Sequence, residues 1–471
     1  MSQLTVLSER EIHAIHTATL RILAETGIRL TQEEARAILT AAGASVQDER
    51  VRIPAHLVEQ TLAHCPRQVS LSSRDGSRIT LGDGNLYWHN VGGASDVYDP
   101  VTGQRRPATL QDVRDSTRLL DALDGATSIT PFFTPQDVPG KLMSLAMYRH
   151  ALPYTTKPLQ GPGVQLGAEV RYAVAMAAVI GPPAEVLSLS VSPISPLFFP
   201  DDVAEAIIET AQQGIPFGPL PCPTAGATAP LSLAGALTQQ NAETLAAVVL
   251  AELVNPGLPI IYCGRLAMME PRTGVSVWGG VELGLVSAAT VQVGHRYGLP
   301  VNVYGLSTNS NTIDVQNGYE RALNAAIPAL AGADELSGIG EMAAGVNGSY
   351  AQMVLDNEIA ASVRRLRQGF TVDEDSLAVE VIANVVAGSG NFLDQMHTVR
   401  YLRSGELFVT RLADRRTWPE WDKGGRQGMA ERAQAEAERL LAEHTVPPLT
   451  DEQERQLDEI MRQAEAELVS A

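Results

Sequence analysis

The sequence predicts an α/β protein built on a (β/α)8 TIM barrel, with an N-terminal helical extension and C-terminal helical segments. Three observations predict it. Eight apolar, strand-like runs fall within residues 85–345. Stretches of helical apolar periodicity lie between most of them, and strands alternating with helices imply parallel pairing through right-handed crossovers. Eight such units point to a closed barrel rather than an open sheet. Finally, residues 307–312 (STNSNT) are six small polar residues between an apolar run and a helix start. An apolar strand opening onto polar side chains and then a helix is the form of a βα loop, where parallel α/β proteins hold ligands.

The bulk properties agree and exclude several classes. The 471 residues, 45% hydrophobic and 19% charged, suffice for a large core. The formal charge is −19 and no Lys/Arg block stands out, which argues against nucleic acid and anionic membrane as partners. Cys65, Cys222 and Cys263 are widely separated. An odd count without CxxC spacing argues against a disulfide framework or a zinc knuckle. His89, His295 and His397 lack HxxxH spacing, so no metal site is expected in the chain. The first residues lack a signal-peptide apolar core, and no apolar run approaches the ~18–20 residues of a membrane span. A soluble, cytoplasmic protein is expected.

Taken in order, residues 1–84 form the N-terminal extension of helices and small strands. Ser8 caps the first helix in a capping box with Glu11. Ile12, Ile15, Leu20, Ile22 and Leu23 give that helix its apolar face, and Gly27 stops it. Thr31 is the expected cap of a second helix reaching Gly43. A short extended piece at 51–53, a helix at 54–63 and two strand-like pieces at 69–72 and 79–81 follow, the last two beside Asp-Gly turns. Residues 85–345 form the barrel. Its runs are 86–92, 129–134, 155–161, 186–193, 215–221, 259–264, 300–306 and 335–340. Helices are expected at 201–213 (cap Asp201, stop Gly214), 238–254, 279–296 and 316–331. Pro328 should kink or fray the last of these. Residues 95–109 (SDVYDPVTGQRRPAT) read as a β-hairpin inserted after the first run, near the C-terminal rim. Gly161–Pro162–Gly163 reads as a rim turn. Residues 346–471 form a C-terminal helical wrap, with helices at 350–366, 376–387 (ending at Gly388–Ser389–Gly390), 391–403, 430–444 and 451–469. A Gly-rich loop is expected at 418–428. The last two helices read as an outer layer or an oligomer contact.

Several ordered segments carry a resemblance: GASDVYDPVTGQRRPATLQDV (93–113), STNSNTIDVQNGYERAL (307–323), AGADELSGIGEM (331–342), DNEI (356–359) and HTVRYLR (397–403). On these the chain resembles the trimethylamine:corrinoid methyltransferase family along nearly its whole length. The resemblance implies a TIM barrel that moves a methyl group from an amine to the cobalt of a separate corrinoid (cobalamin) protein, with no corrinoid bound covalently to this chain. Founding members contain pyrrolysine, and none is present here. The replaced position is expected at the end of strand seven or strand eight. The chain resembles the glycine betaine:corrinoid branch that lacks this residue.

The missing residue matters chemically. A quaternary ammonium that loses a methyl group departs as a neutral tertiary amine, so no proton donor is needed. The protein supplies positioning and a dry pocket, and the cofactor supplies the nucleophile. No residue of the chain is therefore assigned as catalytic. Aromatic faces favour such a cation. The rim candidates are Trp88, Tyr98, Phe132, Phe133, Tyr262, Tyr304 and Tyr350, with Trp88 and Phe133 favoured because they sit at strand ends. Core filling is the competing use of each. Glu341 and Glu270 are candidate counter-charges, or else solvated or paired carboxylates. Arg265 suits a forked grip on a betaine carboxylate, and His89 and His397 are possible donors. Asn309 and Asn311 would orient either end, or else serve as loop hydrogen bonders. No GxxxxGK[ST] and no GxGxxG after a strand occurs, so a phosphate cradle is not expected.

Glycine betaine is the first substrate expected. Proline betaine, carnitine, choline and trimethylamine are alternatives. A betaine-binding barrel without turnover, or another activity on a non-amine ligand, is the rival reading. A corrinoid protein docking over the barrel mouth and a homo-oligomer are the expected partners.

Overall fold

Ser8 opens the first helix as the spacing to Glu11 requires. In the computed structural model, which describes residues 3–100, 102–161, 164, 166–388 and 390–469, the Ser8 backbone N–H and hydroxyl both donate to the Glu11 carboxylate, and the helix runs Glu9–Arg21. A π turn, Ile22–Thr26, follows and stops at Gly27, whose φ is 70°. A Cβ there would also strike the Val51 carbonyl, so only glycine fits. The next helix, Glu33–Ala41, is capped by Gln32 rather than by Thr31, because the Gln32 side chain reaches the Ala35 N–H. Strand Ile28–Leu30 pairs antiparallel with Arg50–Arg52 and parallel with Phe198–Phe199, which ties the extension to the body of the chain. Val69–Ser72 and Arg78–Leu81 form the expected antiparallel pair.

The eight runs appear in order, several of them shortened. We label the strands among them β1 (Tyr87–Asn90), β2 (Leu159–Gln160), β3 (Leu187–Val191), β4 (Phe217–Pro219), β5 (Tyr262–Gly264), β6 (Val301–Tyr304) and β7 (Glu335–Ile339). The run at 129–134 makes isolated bridges instead of a ladder, Ile129 to Leu159 and Phe133 to Ala94. Pro131 explains this, since it has no N–H to donate. Pro158 shortens β2 for the same reason. One parallel ladder runs β5–β6–β7–β1, with Cys263 opposite Asn302 and Asn302 opposite Glu335. A second runs β4–β3–β2. A bridge from Phe217 to Ile260 links the two, and the Thr127 N–H meets the Trp88 carbonyl at 2.8 Å.

A helix follows each run: Leu110–Ala122, Met143–Ala151, Gly167–Ile180, Asp201–Gln212, Leu233–Val254, Val281–Arg296, Val315–Leu330 and Tyr350–Gln368. The fold is thus α/β with parallel strands. Asp201 is the first residue of its helix, not its cap, because the chain already turns at Pro200. The Val315–Leu330 helix passes through buried Pro328 and ends two residues later. Leu233–Val254 starts earlier than its periodicity suggests and is buried on nearly every side. Such a helix needs cover on its outer face, and the helices of the N-terminal extension pack there.

The inserted hairpin is present as Asp96–Tyr98 against Arg105–Pro107, with Asn347–Gly348 alongside Asp96–Val97. It therefore stands at the C-terminal ends of β1 and β7. The segment expected as a loop at 418–428 begins with a helical turn, Trp418–Lys423, because Thr417 and Glu420 form a capping box. Helices Met429–Glu443 and Asp451–Leu468 close the chain over the body. Pro162 and Gly163 of the expected rim turn, and Ser389 of the Gly388–Gly390 stop, lie outside the described residues. Among the described residues no helix is long and apolar enough to cross a membrane.

Candidate functional site

Side chains alternate between the two faces of a strand, and that alternation builds a cavity at the C-terminal ends of the parallel strands. His89 and Val91 come from β1 and its end, Gln160 from β2, and Ser190 and Ser192 from β3 and the residue beyond it. Leu220 and Cys222 follow β4. Ile261, Cys263 and Arg265 alternate through β5, and Asn302 and Tyr304 through β6. All of these line one space of about 230 Å3.

Its floor is a connected polar layer. The Glu335 carboxylate, fully buried, accepts from Asn302 Nδ2 at 2.5 Å, Gln160 Nε2 at 2.6 Å and Ser128 Oγ at 3.1 Å. Asn302 Nδ2 also donates to His89 Nε2 at 2.8 Å, and His89 Nδ1 meets the Thr130 hydroxyl at 3.3 Å. With Nε2 as an acceptor, the proton belongs on Nδ1. Burial lowers the His89 pKa, so the ring is neutral near pH 7.

Arg265 forms the cationic wall. Its Nη1 donates to the carbonyls of Gly264 and Asn302 at 3.0 and 3.1 Å, and its Nη2 donates to Asn302 Oδ1. The guanidinium carbon lies 4.6 Å from the centre of the Tyr304 ring, a stacked arrangement that holds the plane of the fork. Trp278 packs edge-on to the same ring at 5.0 Å. Burial raises the Tyr304 phenol, and nearby Glu341 adds to the rise. Burial pushes the thiols of Cys222 and Cys263 up to about 11 and about 12. Cys222 is nevertheless exposed to the cavity space; the protein mass around that space is what disfavours its thiolate. Among the described residues that line the cavity, Arg265 alone carries a formal charge near neutral pH. Glu335 balances it from beneath, but its carboxylate is covered by its three donors.

The structure brings His89, Arg265 and Tyr304 together at this cavity, and it places the other sequence candidates elsewhere. Trp88 and Tyr262 belong to the opposite strand register and face the helical layer. Tyr262 donates there to Asn241 at 2.8 Å, and Trp88 is fully buried. Phe132 and Phe133 pack edge-to-face at 4.7 Å under the hairpin, with Tyr350 beside Phe133. The Tyr350 hydroxyl donates to Asp112. Tyr98 stands on the hairpin and donates to the Asn311 carbonyl at 2.7 Å. Glu341 is buried, accepts from Ser307 Oγ, and is raised to about 7 by burial against the opposing pull of Arg321. Asn309 Oδ1 accepts from the backbone N–H groups of Trp278 and Gly279 at 2.7 and 2.8 Å, which fixes the loop. Glu270 lies in a surface turn. His397 lies on the surface helix Met396–Arg403, stacked on Tyr401.

Sequence reasoning missed Gln160, Ser190, Ser192, Cys222, Cys263, Asn302 and Glu335. A signal for most of them exists. Residues 188, 190 and 192 are all serine, and 302 and 304 are the polar members of an otherwise β-branched run. Period two within an apolar strand marks its inward face.

A second, more open groove of about 660 Å3 shares none of these lining residues and lies beyond the ends of β1, β6 and β7. It is bounded by the hairpin, residues 311–313 and the start of the Met429–Glu443 helix.

The family model described as trimethylamine methyltransferase (MTTB) matches residues 1–469. Trimethylamine methyltransferase MttB of Desulfitobacterium hafniense (strain DSM 10664 / DCB-2) is 32% identical over 469 residues, covering 98% of this chain and 94% of that protein. Glycine betaine methyltransferase of Desulfitobacterium hafniense (strain Y51) is 30% identical over 471 residues, covering 97% and 96%. Among solved structures, the monomethylamine methyltransferase of Methanosarcina barkeri superposes with a TM-score of 0.52 at 12% identity, covering 93% of each chain. That likeness is one of fold.

Proposed function

The chain belongs to the trimethylamine methyltransferase family, and on that premise we propose that it removes a methyl group from a small quaternary amine, glycine betaine first, for a corrinoid carried by a separate protein. The parallel ladders, the bridge between them and the Thr127 contact to Trp88 support reading the eight runs as a closed (β/α)8 barrel with the cavity at its mouth.

One observation carries the choice of substrate. Among the described residues the cavity presents a guanidinium and no open carboxylate. A simple methylammonium would meet like charge there, at a cost that low dielectric magnifies. A betaine brings its own carboxylate to Arg265 and leaves its methyl groups among Tyr304, Cys222 and Leu220. The neutral thiols and phenol offer no competing charge, and a tertiary amine needs no proton on departure. The buried floor keeps water from the ammonium end and holds Arg265 by Asn302.

A corrinoid ring is far larger than this cavity. The open groove bounded by the hairpin and residues 311–313 is the larger space on this side of the strands, and we assign the ring to it. When bound there, it would supply the nucleophile that takes the methyl group.

The test mixes purified chain, a Co(I) corrinoid protein and each candidate amine, and follows loss of the Co(I) absorbance. Glycine betaine should give the fastest loss. Turnover of trimethylamine with none of several betaines would refute the proposal, and betaine binding without turnover would leave a binding module.

A further inference from the structure

We infer that residues 370–409 are the surface through which two copies of this chain associate, each packing its apolar side chains on the same segment of the other. Large hydrophobic residues are exposed at twelve positions within these forty residues, including Val372 (67%), Val386 (76%), Leu393 (81%) and Val409 (81%). Fifteen more are spread over the rest of the described chain, so the exposure is concentrated rather than general. In return, among the described residues of the segment, Val385 is the one buried apolar side chain. Its helix Val379–Ala387 reads VEVIANVVA, which is apolar nearly all round, and such a helix is stable when covered.

The area decides that the cover is large. Together the twelve side chains expose on the order of 1,000 Å2, above the ~300–600 Å2 of the largest patch on a typical monomer and comparable with the ~800 Å2 each partner gives to a stable interface.

Position then separates the possible occupants. The segment leaves the body at the end of the Tyr350–Gln368 helix. There Arg367 donates to the carbonyls of Ala333 and Gly84 at 2.7 and 3.0 Å, residues that precede β7 and β1. Arg365 donates to the Glu406 carbonyl at 2.7 Å, so the far end of the segment returns to the same place. This is the N-terminal end of the strands, opposite the cavity mouth. A protein that must reach the cavity has no use for a patch at the opposite pole. A mostly apolar face also needs permanent cover, which is the character of obligate homomeric contacts. A second copy of the chain is always present to provide it, and a two-fold axis makes one patch complementary to itself.

The test is the mass of the full chain at micromolar concentration by light scattering after gel filtration. The wild type should run at a multiple of the 50.3 kDa chain. Val386→Arg and Leu393→Glu should each weaken association at least 100-fold with an unchanged circular dichroism spectrum. Val315→Arg, at an 86%-exposed valine on another surface, should not. A monomeric wild type, unaltered assembly of both segment variants, or equal dissociation of Val315→Arg would each overturn the inference. Capture of a corrinoid protein that is lost in the segment variants while their assembly persists would overturn it as well. Should either substitution unfold the chain, Leu393→Cys reads the same contact: a short bis-maleimide should link two copies of it but not two of the wild type, and no linkage would count against the interface.

Discussion

Replacing Arg265 by glutamine separates recognition of a carboxylate from every other role of the cavity. The guanidinium is committed on one side to the carbonyls of Gly264 and Asn302 and to Asn302 Oδ1, and it is stacked on Tyr304. A substrate carboxylate would add a charge-assisted hydrogen bond, which contributes about 1.5–3 kcal/mol. At about 1.4 kcal/mol per decade this is roughly a 10- to 150-fold change in Kd. The substitution also strips donors from the Asn302 carbonyls, a cost of about 1–3 kcal/mol to folding. A thermal scan would register that loss, and it must not be mistaken for lost binding. Two ligands cancel it. Glycine betaine carries a carboxylate; choline carries the same trimethylammonium group with a hydroxyl instead. Titration calorimetry of both on the folded variant should show betaine weakened 10- to 150-fold and choline unweakened or tightened, because removing the guanidinium also removes a like charge facing choline. Equal losses for both ligands, or unaltered betaine binding, would refute the assignment of Arg265 to the carboxylate.

Three further outcomes follow from the same geometry. Burial holds the Glu341 carboxyl at about 7 against an unfolded value of 4.5. Both states keep the proton below pH 4.5, and the unfolded chain releases it first between pH 4.5 and 7. Stability is therefore lost through that window, by about 3 kcal/mol, and the loss is complete above it. Glu341→Gln should thus gain on the wild type as pH rises from 4.5 to 7 in thermal unfolding; the charge of Asp356, itself raised to about 6, helps raise Glu341 and is part of that difference. A pH-independent difference would contradict a protonated, buried Glu341. Cys222, exposed to the cavity with its thiol near 11, should react with iodoacetamide at pH 8 on the order of 100-fold more slowly than a free thiol, and saturating betaine should slow it further. Fast, unprotected labelling read by mass spectrometry would place Cys222 outside the substrate space. A Cβ at Gly348 would meet the rings of Phe132 and Phe133, which are fully buried, so Gly348→Ala should lower denaturant stability by about 1–3 kcal/mol; an unchanged midpoint would show that those rings can move.

The alternation of runs and helices was legible because each element carries its own period. So were the hairpin after the first run and the Ser8–Glu11 cap, whose residues act on near neighbours. The irregular second run and the shortened third were less legible, although Pro131 and Pro158 forecast them, because the apolar character of a run does not show a missing donor. The position of Arg265 at the cavity was legible, because it directly follows the strand β5 and shares the inward register of Cys263. Trp88 and Phe133 lie away from the cavity for a physical reason. Aromatic side chains fill the layer between strands and helices as readily as they face a cation, and only register distinguishes the two. His89 faces the cavity and Trp88 does not, although they are adjacent in sequence.

The polar run at 307–312 makes the same point in reverse. Six small polar residues at a strand end suggest groups waiting for a ligand, yet most are already occupied. Ser307 donates to Glu341, and Thr308 donates to Glu320. Asn309 is consumed by Trp278, Gly279 and the Ser276 carbonyl. Ser310 and Thr312 both reach Asp314, the cap of the Val315–Leu330 helix. Groups spent in this way fix the loop and have little left to offer a substrate. What they fix is the setting of Tyr304: Trp278, held by Asn309, packs on one edge of its ring while Arg265 covers a face. The loop thus contributes rigidity to the wall that bears the guanidinium, and the strands supply the side chains that line the cavity. A substitution such as Asn309→Ala should accordingly blur betaine from choline without abolishing the binding of either, since it loosens the wall and leaves its charge in place.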